Sequence, residues 1–113
     1  MSKFADLPLI VAVDFDGTLC KDNYPYIGKP NQEMIDLVKA YQQGGWKTIL
    51  WTCRNGEALV EAYIWCEQQG LTFDAVNTNI PEVQELFGGD TRKVFADRYI
   101  DDKNYFLERC NGS

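Results

Sequence analysis

The sequence contains no histidine at all among its 113 residues. Without histidine, the Ser-His and Cys-His pairs that activate nucleophiles in many hydrolases are excluded. Any acid–base or nucleophilic chemistry must therefore depend on carboxylates, lysine, hydroxyl or thiol groups, tyrosine or a bound metal.

Cysteine is scarce, and its spacing does not fit a metal site. The four cysteines are Cys20, Cys53, Cys66 and Cys110, and they contain no C-x-x-C pair. No histidine is present to complete a zinc site. We expect each cysteine to be a reduced thiol that packs as a small apolar side chain.

Long apolar runs and an excess of basic charge are also missing. No segment approaches the roughly 20 apolar residues of a membrane-spanning helix, and the first residues lack the apolar core of a signal peptide. The net charge of −6 disfavours broad binding to nucleic acid or to anionic lipid. We expect a cytoplasmic protein that does not contact membranes.

The patterning predicts one α/β domain over residues 1–113, because short apolar runs alternate with amphipathic segments. The predicted strands are 9–14, 47–52, 73–77 and 99–100, and the predicted helices are 31–43, 55–69, 81–87 and a last turn or two within 105–110. Residues 17–30 are predicted to be a loop that holds a short helical turn or a small hairpin. We expect a mostly parallel sheet with helices on both faces.

Oxygen-bearing side chains stand where the predicted strands end. They are Asp14, Asp16, Thr52, Asp101 and Asp102. Because ligands bind outside the carboxyl ends of parallel strands, we expect these side chains to share one cleft. Lys93 precedes the last strand and can enter the same cleft.

Each of these residues has an ordinary structural explanation when it is taken alone. Thr52 is a common strand end, Lys93 is a typical solvated charge, and Asp101 with Asp102 would serve as a helix cap. A calcium-binding loop that starts at Asp14 is excluded, because Pro25 stands where that loop needs a glutamate and a strand precedes it instead of a helix. The combination is therefore more specific than any member.

The stretch VDFDGTL, residues 13–19, resembles the first motif of the haloacid dehalogenase (HAD) superfamily, hhhDxDGT. Thr52 in ILWTCR resembles the second motif, Lys93 the third, and Asp101-Asp102 in YIDDKN the acidic fourth. The motifs follow the family's order over residues 9–104. The resemblance implies a Rossmann-like three-layer α/β sandwich and Mg²⁺-dependent phosphoryl transfer.

Within that family, the second aspartate of the first motif, here Asp16, is typical of phosphatases and phosphomutases. The short segment between Gly17 and the first helix resembles members without a cap domain. Since a cap usually supplies specificity, the substrate stays open: a small molecule or a nucleic-acid end. A homo-oligomer is one way to provide a lid.

The resemblance also implies roles for individual residues. Asp14 would be the nucleophile and a metal ligand, and Asp16 would carry the proton and bind the metal through its backbone carbonyl. Asp101 and Asp102 would complete the Mg²⁺ site. Thr52 and Lys93 would bind the phosphoryl oxygens. Further candidates are Gly17, whose turn would aim N–H groups at phosphate, the substrate contacts Cys53 and Arg54, and Asn104.

The resulting hypothesis is a hydrolase, a Mg²⁺-dependent phosphomonoester phosphatase that acts through an aspartyl-phosphate. Two alternatives belong to other classes: a non-catalytic binding protein on the same scaffold, and a phosphoacceptor receiver domain. The order of motifs argues against the receiver domain, because its phosphoacceptor aspartate ends a middle strand, where this chain has Thr52. Trp51 and the tyrosines are expected to pack in the core or in loops.

Overall fold

A computed structural model of the chain describes residues 7–89 and 94–101. Its elements, in chain order, are β1 (Ile10–Val13), β2 (Cys20–Asn23), β3 (Tyr26–Pro30), α1 (Gln32–Gln43), β4 (Lys47–Leu50), α2 (Gly56–Gln68), β5 (Ala75–Val76), α3 (Pro81–Phe87) and β6 (Arg98–Ile100). The helical turns predicted within 105–110 lie outside the described residues.

The central sheet has four strands in the order β5-β4-β1-β6, and every neighbouring pair is parallel. Ile10 pairs with Lys47 and Val13 with Leu50 on one side of β1, while Val13 pairs with Ile100 on the other. Counted along the chain, the order of these strands is third, second, first, fourth, as in a Rossmann-like doubly wound fold. The prediction of an α/β fold with a parallel sheet is confirmed.

Both faces of the sheet are covered. Side chains alternate along each strand, so each strand contributes to a buried cluster on either face. Val11, Val13 and Leu50 lie in one buried cluster with residues of α1 and α2. Ile10, Ala12 and Ile49 lie in a second cluster with α3 and with the segment before β6. Burial on both faces explains why β1, IVAV, is continuously apolar and why Thr48, Ile49 and Leu50 of β4 are all buried.

Helix α1 follows from its sequence pattern and its cap. Met34, Ile35 and Val38 are buried along one face, as the spacing of apolar residues predicted. The Asn31 side chain accepts a hydrogen bond from the Met34 N–H at 3.4 Å, and the helix ends at Gly44. The predicted amphipathic helix is confirmed.

The segment predicted as a loop after β1 forms an antiparallel hairpin of β2 and β3. Asp22 pairs with Ile27, and Asn23 pairs with Tyr26. Of the two structures predicted for this loop, the hairpin is therefore the one present. In residues 7–89 and 94–101, no helix is long and apolar enough to cross a lipid bilayer.

Candidate functional site

A cavity of about 390 Å³ opens at the carboxyl edge of the central sheet. It brings together four of the predicted site residues: Asp14, Thr52, Cys53 and Asp101. The other described residues that line it are Ala12, Trp51, Asn77, Tyr99 and Ile100. Concave sites with a few polar groups on apolar walls are typical of ligand binding, and this edge of the sheet is where α/β folds place them.

Backbone hydrogen bonds continue the sheet past its strand ends and hold the cavity wall in place. The Asp14 N–H donates to the Ile100 carbonyl at 2.9 Å, and the Trp51 N–H donates to the Val13 carbonyl at 2.8 Å. The Asn77 N–H donates to Leu50 at 2.8 Å. The site residues therefore stand on a rigid edge and not on a free loop.

Thr52 is held from both sides. Its N–H donates to the Asn77 side-chain oxygen at 2.7 Å, and its hydroxyl oxygen accepts a hydrogen bond from the Arg54 N–H at 3.1 Å. Asn77 has a φ of 56°, a left-handed conformation that asparagine tolerates better than most residues. This turn lets the Asn77 side chain reach back to the end of β4.

Two carboxylates in the cavity suit a hard cation. The Asp14 Oδ1 accepts a hydrogen bond from the Phe15 N–H at 2.8 Å, which orients the carboxylate. Asp101 lines the same cavity one strand away. Within the described part of the chain, no group of three acidic, cysteine or histidine side chains forms a metal site. Mg²⁺ commonly uses only one or two protein carboxylates and takes its other ligands from phosphate and water, so these residues fit it.

Asp16 does not line the cavity, because its carboxylate is paired with Arg54. Asp16 Oδ2 accepts a hydrogen bond from Arg54 Nε, and Asp16 Oδ1 accepts one from Nη2, both at 2.8 Å. This is a bidentate ion pair between residues 38 positions apart in the chain. Both oxygens of the predicted proton carrier are thus occupied by a guanidinium.

Arg54 itself is only 1% exposed, and all of its side-chain donors are used. Beyond the pair with Asp16, Nη1 donates to the carbonyls of Pro25 and Ala58, and Nη2 donates to Tyr26. The guanidinium carbon lies 5.0 Å from the ring centres of both Phe15 and Tyr24. The hydrogen bonds with Asp16 raise the pKa of Arg54 above its usual value.

Two predictions about substrate contacts need correction. Arg54 does not face the cavity, because its guanidinium is buried between Asp16 and the hairpin carbonyls. Gly17 makes the expected turn, with a φ of 84°, but its N–H donates to the Cys20 carbonyl at 2.9 Å and is not directed at a phosphate. Both residues shape the loop around Asp16 instead.

The described cysteines are free thiols in two different environments. Cys20 and Cys66 are buried as predicted, and burial raises the pKa of both thiols, that of Cys66 to about 12. Cys53 is exposed at the cavity, so the prediction that it packs as an apolar side chain is wrong. Its position agrees with the prediction that Cys53 belongs to the site.

Five described lining residues were not predicted as site residues: Ala12, Trp51, Asn77, Tyr99 and Ile100. Trp51, which was expected to pack in the core or a loop, lies in the loop after β4, is 37% exposed and lines the cavity. Asn77 follows β5 directly, and the rule that singled out the other strand ends applies equally to it. Lys93, Asp102 and Asn104 lie outside the described residues, so their predicted roles stay predictions.

Comparison with known proteins places this geometry in a family. No protein-family model matches the chain, and no curated protein matches it. A solved structure described as that of a conserved protein from Bacteroides thetaiotaomicron is 42% identical and superposes with a TM-score of 0.75. The match covers 87% of this chain and 78% of the Bacteroides chain. The chain therefore belongs to the same family as this conserved Bacteroides protein.

Proposed function

We propose that the chain is a Mg²⁺-dependent phosphatase of the haloacid dehalogenase type that hydrolyses phosphomonoesters through a phosphorylated Asp14. The observation that carries this proposal is that Asp14, Thr52 and Asp101 line one cavity at the carboxyl edge of a parallel sheet. A carboxylate nucleophile, a hydroxyl donor and a second acidic side chain are groups that this reaction uses. The short hairpin after Gly17 supports a member without a cap domain at that position.

In the first step, Asp14 attacks phosphorus, and the bond to the leaving oxygen breaks as the acyl-phosphate bond forms. In the second step, water attacks the same phosphorus, releases inorganic phosphate and restores Asp14. Splitting the hydrolysis in this way replaces one difficult displacement with two easier ones.

Thr52 would stabilise the phosphoryl group during both steps. Its hydroxyl oxygen accepts the Arg54 N–H, which turns its own proton toward donation to a phosphoryl oxygen. Asp14, Asp101 and the predicted ligand Asp102 would hold Mg²⁺, whereas the predicted Asp16 carbonyl would first have to approach the cavity. When bound, the ion would neutralise charge on the phosphoryl oxygens. Lys93 would add a point charge against the same oxygens.

Asp16 would protonate the leaving oxygen and then take a proton from the attacking water. This role requires its carboxylate to leave Arg54, since both carboxylate oxygens accept guanidinium hydrogen bonds and neither faces the cavity. The proposal therefore includes an opening of the Asp16–Arg54 pair during the reaction.

The same ion pair favours a second candidate, a non-catalytic protein that binds phosphorylated ligands on this scaffold. In that case Asp16 would stay bound to Arg54 and would have only a structural role. Binding of phosphate esters without turnover over a broad panel, with Mg²⁺ present, would support this candidate over the phosphatase.

The proposal is tested by phosphate release from p-nitrophenyl phosphate with Mg²⁺, before and after Asp14→Asn. We expect a loss of about a thousandfold or more, because the amide cannot act as the nucleophile. The matched control is Asp36→Asn, which alters an exposed carboxylate on α1 that accepts a hydrogen bond from Gln32 and does not line the cavity. Activity that survives Asp14→Asn unchanged would end the assignment.

A further inference from the structure

Trp51 differs from the other two tryptophans because no aromatic ring of the described residues packs against it. The Trp65 ring meets Phe15 edge-on with centroids 5.5 Å apart, and the Trp46 ring meets Tyr41 at 4.8 Å. Trp51 makes no such ring contact with any described residue, and 37% of it stays exposed at the cavity. Part of the Trp51 surface is therefore accessible to whatever occupies the cavity.

This exposure is not the consequence of a mobile segment. The Trp51 N–H is bonded to the Val13 carbonyl on the strand that carries Asp14, at 2.8 Å. The next N–H, that of Thr52, is bonded to the Asn77 side chain at 2.7 Å. Trp51 is thus held at a fixed place beside the nucleophile and the phosphoryl-binding hydroxyl, as a recognition residue must be.

The cavity is larger than a phosphoryl group alone would fill. Its described lining also carries no positive charge. Its volume of about 390 Å³ falls within the range of small-molecule sites. Apart from Asp14 and Asp101, the lining side chains that the structure describes are uncharged. Among these described residues no cation would attract a second anionic group, and Lys93 is already assigned to the phosphoryl oxygens, which favours a neutral group beyond the phosphate.

We propose that Trp51 is a specificity-determining residue that stacks against a planar aromatic leaving group. The inference rests on the proposed phosphatase function: the phosphoryl group would lie at Asp14 and Thr52, and the aromatic group would lie on the indole. The bond from phosphorus to the leaving oxygen breaks, and the leaving oxygen takes a proton to give a neutral aromatic alcohol. Water then supplies the oxygen that converts the phosphoryl group to inorganic phosphate. The substrate class is a phosphomonoester with an aromatic or heteroaromatic group near its ester oxygen.

The test uses two esters of equal carbon count, benzyl phosphate and cyclohexylmethyl phosphate, hydrolysed with Mg²⁺ by the full chain. We expect kcat/KM to favour the benzyl ester by about five- to tenfold, the size of an aromatic pair interaction. Trp51→Leu should bring this ratio close to one, and Trp51→Phe should retain most of it. Ile64→Ala, which alters an exposed apolar side chain on α2 outside the cavity, should leave the ratio unchanged.

A binding measurement separates failure of this inference from failure of the phosphatase proposal. Benzylphosphonate and cyclohexylmethylphosphonate are not hydrolysed, and calorimetry with Mg²⁺ gives their affinities directly. A benzyl preference that Trp51→Leu abolishes supports the subsite even if neither ester is turned over, in which case only the phosphatase proposal fails. Hydrolysis of both esters with the same ratio in wild type and Trp51→Leu overturns the subsite while the phosphatase stands. Failure of both phosphonates to bind overturns the subsite as well.

Discussion

At the scale of single residues, Arg54 is the side chain with the most hydrogen-bonded contacts around the site. Its guanidinium is 1% exposed and joins Asp16, the hairpin and helix α2 through five hydrogen bonds. Arginine suits this position because its planar fork donates in several fixed directions at once, which a lysine ammonium does not.

We predict that Arg54→Met lowers the free energy of unfolding by about 2–4 kcal/mol, because it leaves the partly buried Asp16 carboxylate without its partner. Urea unfolding measures the change. Lys29→Met on the exposed side of β3 is the control and should change stability by less than about 0.5 kcal/mol. Adding Asp16→Asn to Arg54→Met should cost less than the sum of the single changes, and additive effects would contradict a direct pair.

Asp16 also gives a prediction about catalysis. If it protonates the leaving oxygen, Asp16→Asn should lower kcat/KM for an alkyl phosphate about 10²–10⁴-fold. The loss for p-nitrophenyl phosphate should be much smaller, because p-nitrophenolate leaves without needing a proton. Steady-state kinetics with both esters measures the two losses. Equal losses for both would show that Asp16 acts by structure and not by proton transfer.

At the scale of elements, the β2–β3 hairpin covers the Arg54 guanidinium and accepts hydrogen bonds from it. The carbonyls of Pro25 and Tyr26, at its turn, accept hydrogen bonds from Arg54 at 3.2 and 3.0 Å. The hairpin is therefore part of the structure that keeps Asp16 away from the cavity. Its ladder depends on a close approach of Gly28 to Lys21 across the two strands.

We predict that Gly28→Ala destabilises the hairpin, since a Cβ there would lie 2.1 Å from the Lys21 carbonyl oxygen and the backbone would have to move. The loss should be about 1–3 kcal/mol, measured by thermal unfolding. Gly44→Ala is the matched control, because φ is −80° and the added Cβ would meet its nearest atom at 3.4 Å. Equal effects of the two substitutions would argue that the approach at Gly28 does not matter.

At the scale of the whole molecule, the core depends on thiols that stay protonated. Cys66 is fully buried in the cluster between the sheet and helices α1 and α2, and burial raises the pKa of its thiol to about 12 from 9.0. Between these two pH values, the folded chain keeps a proton that the unfolded chain releases. The free energy of unfolding must then fall as pH rises through this window.

We predict that unfolding in urea shows full stability below pH 9 and a progressive loss toward pH 12. Cys66→Ala should lower stability at neutral pH by leaving a small cavity, and it should reduce the alkaline slope, to which Cys20 also contributes because burial raises its pKa too. Cys53→Ala, at the exposed thiol, should leave that slope as it is. A slope that Cys66→Ala does not change would assign the alkaline loss to other groups.

Local patterns were enough to predict most of the architecture. Continuous apolar runs predicted β1 and β4, the apolar spacing predicted α1, and the alternation of strands with helices predicted a parallel sheet. These features depend on residues close together in the chain, so they can be read without knowing the fold. The strand-end rule also placed Asp14, Thr52 and Asp101 correctly at one edge.

Only the tertiary structure decided which partners the site residues have. Asp16 and Arg54 are 38 positions apart, and no local pattern distinguishes an arginine that faces a substrate from one buried against a carboxylate. Likewise, Trp51 directly follows a buried strand, as a core residue could, but it is 37% exposed and lines a cavity. The sequence by itself determined which chemical groups stand at the sheet edge, whereas long-range packing decided which of them face the cavity.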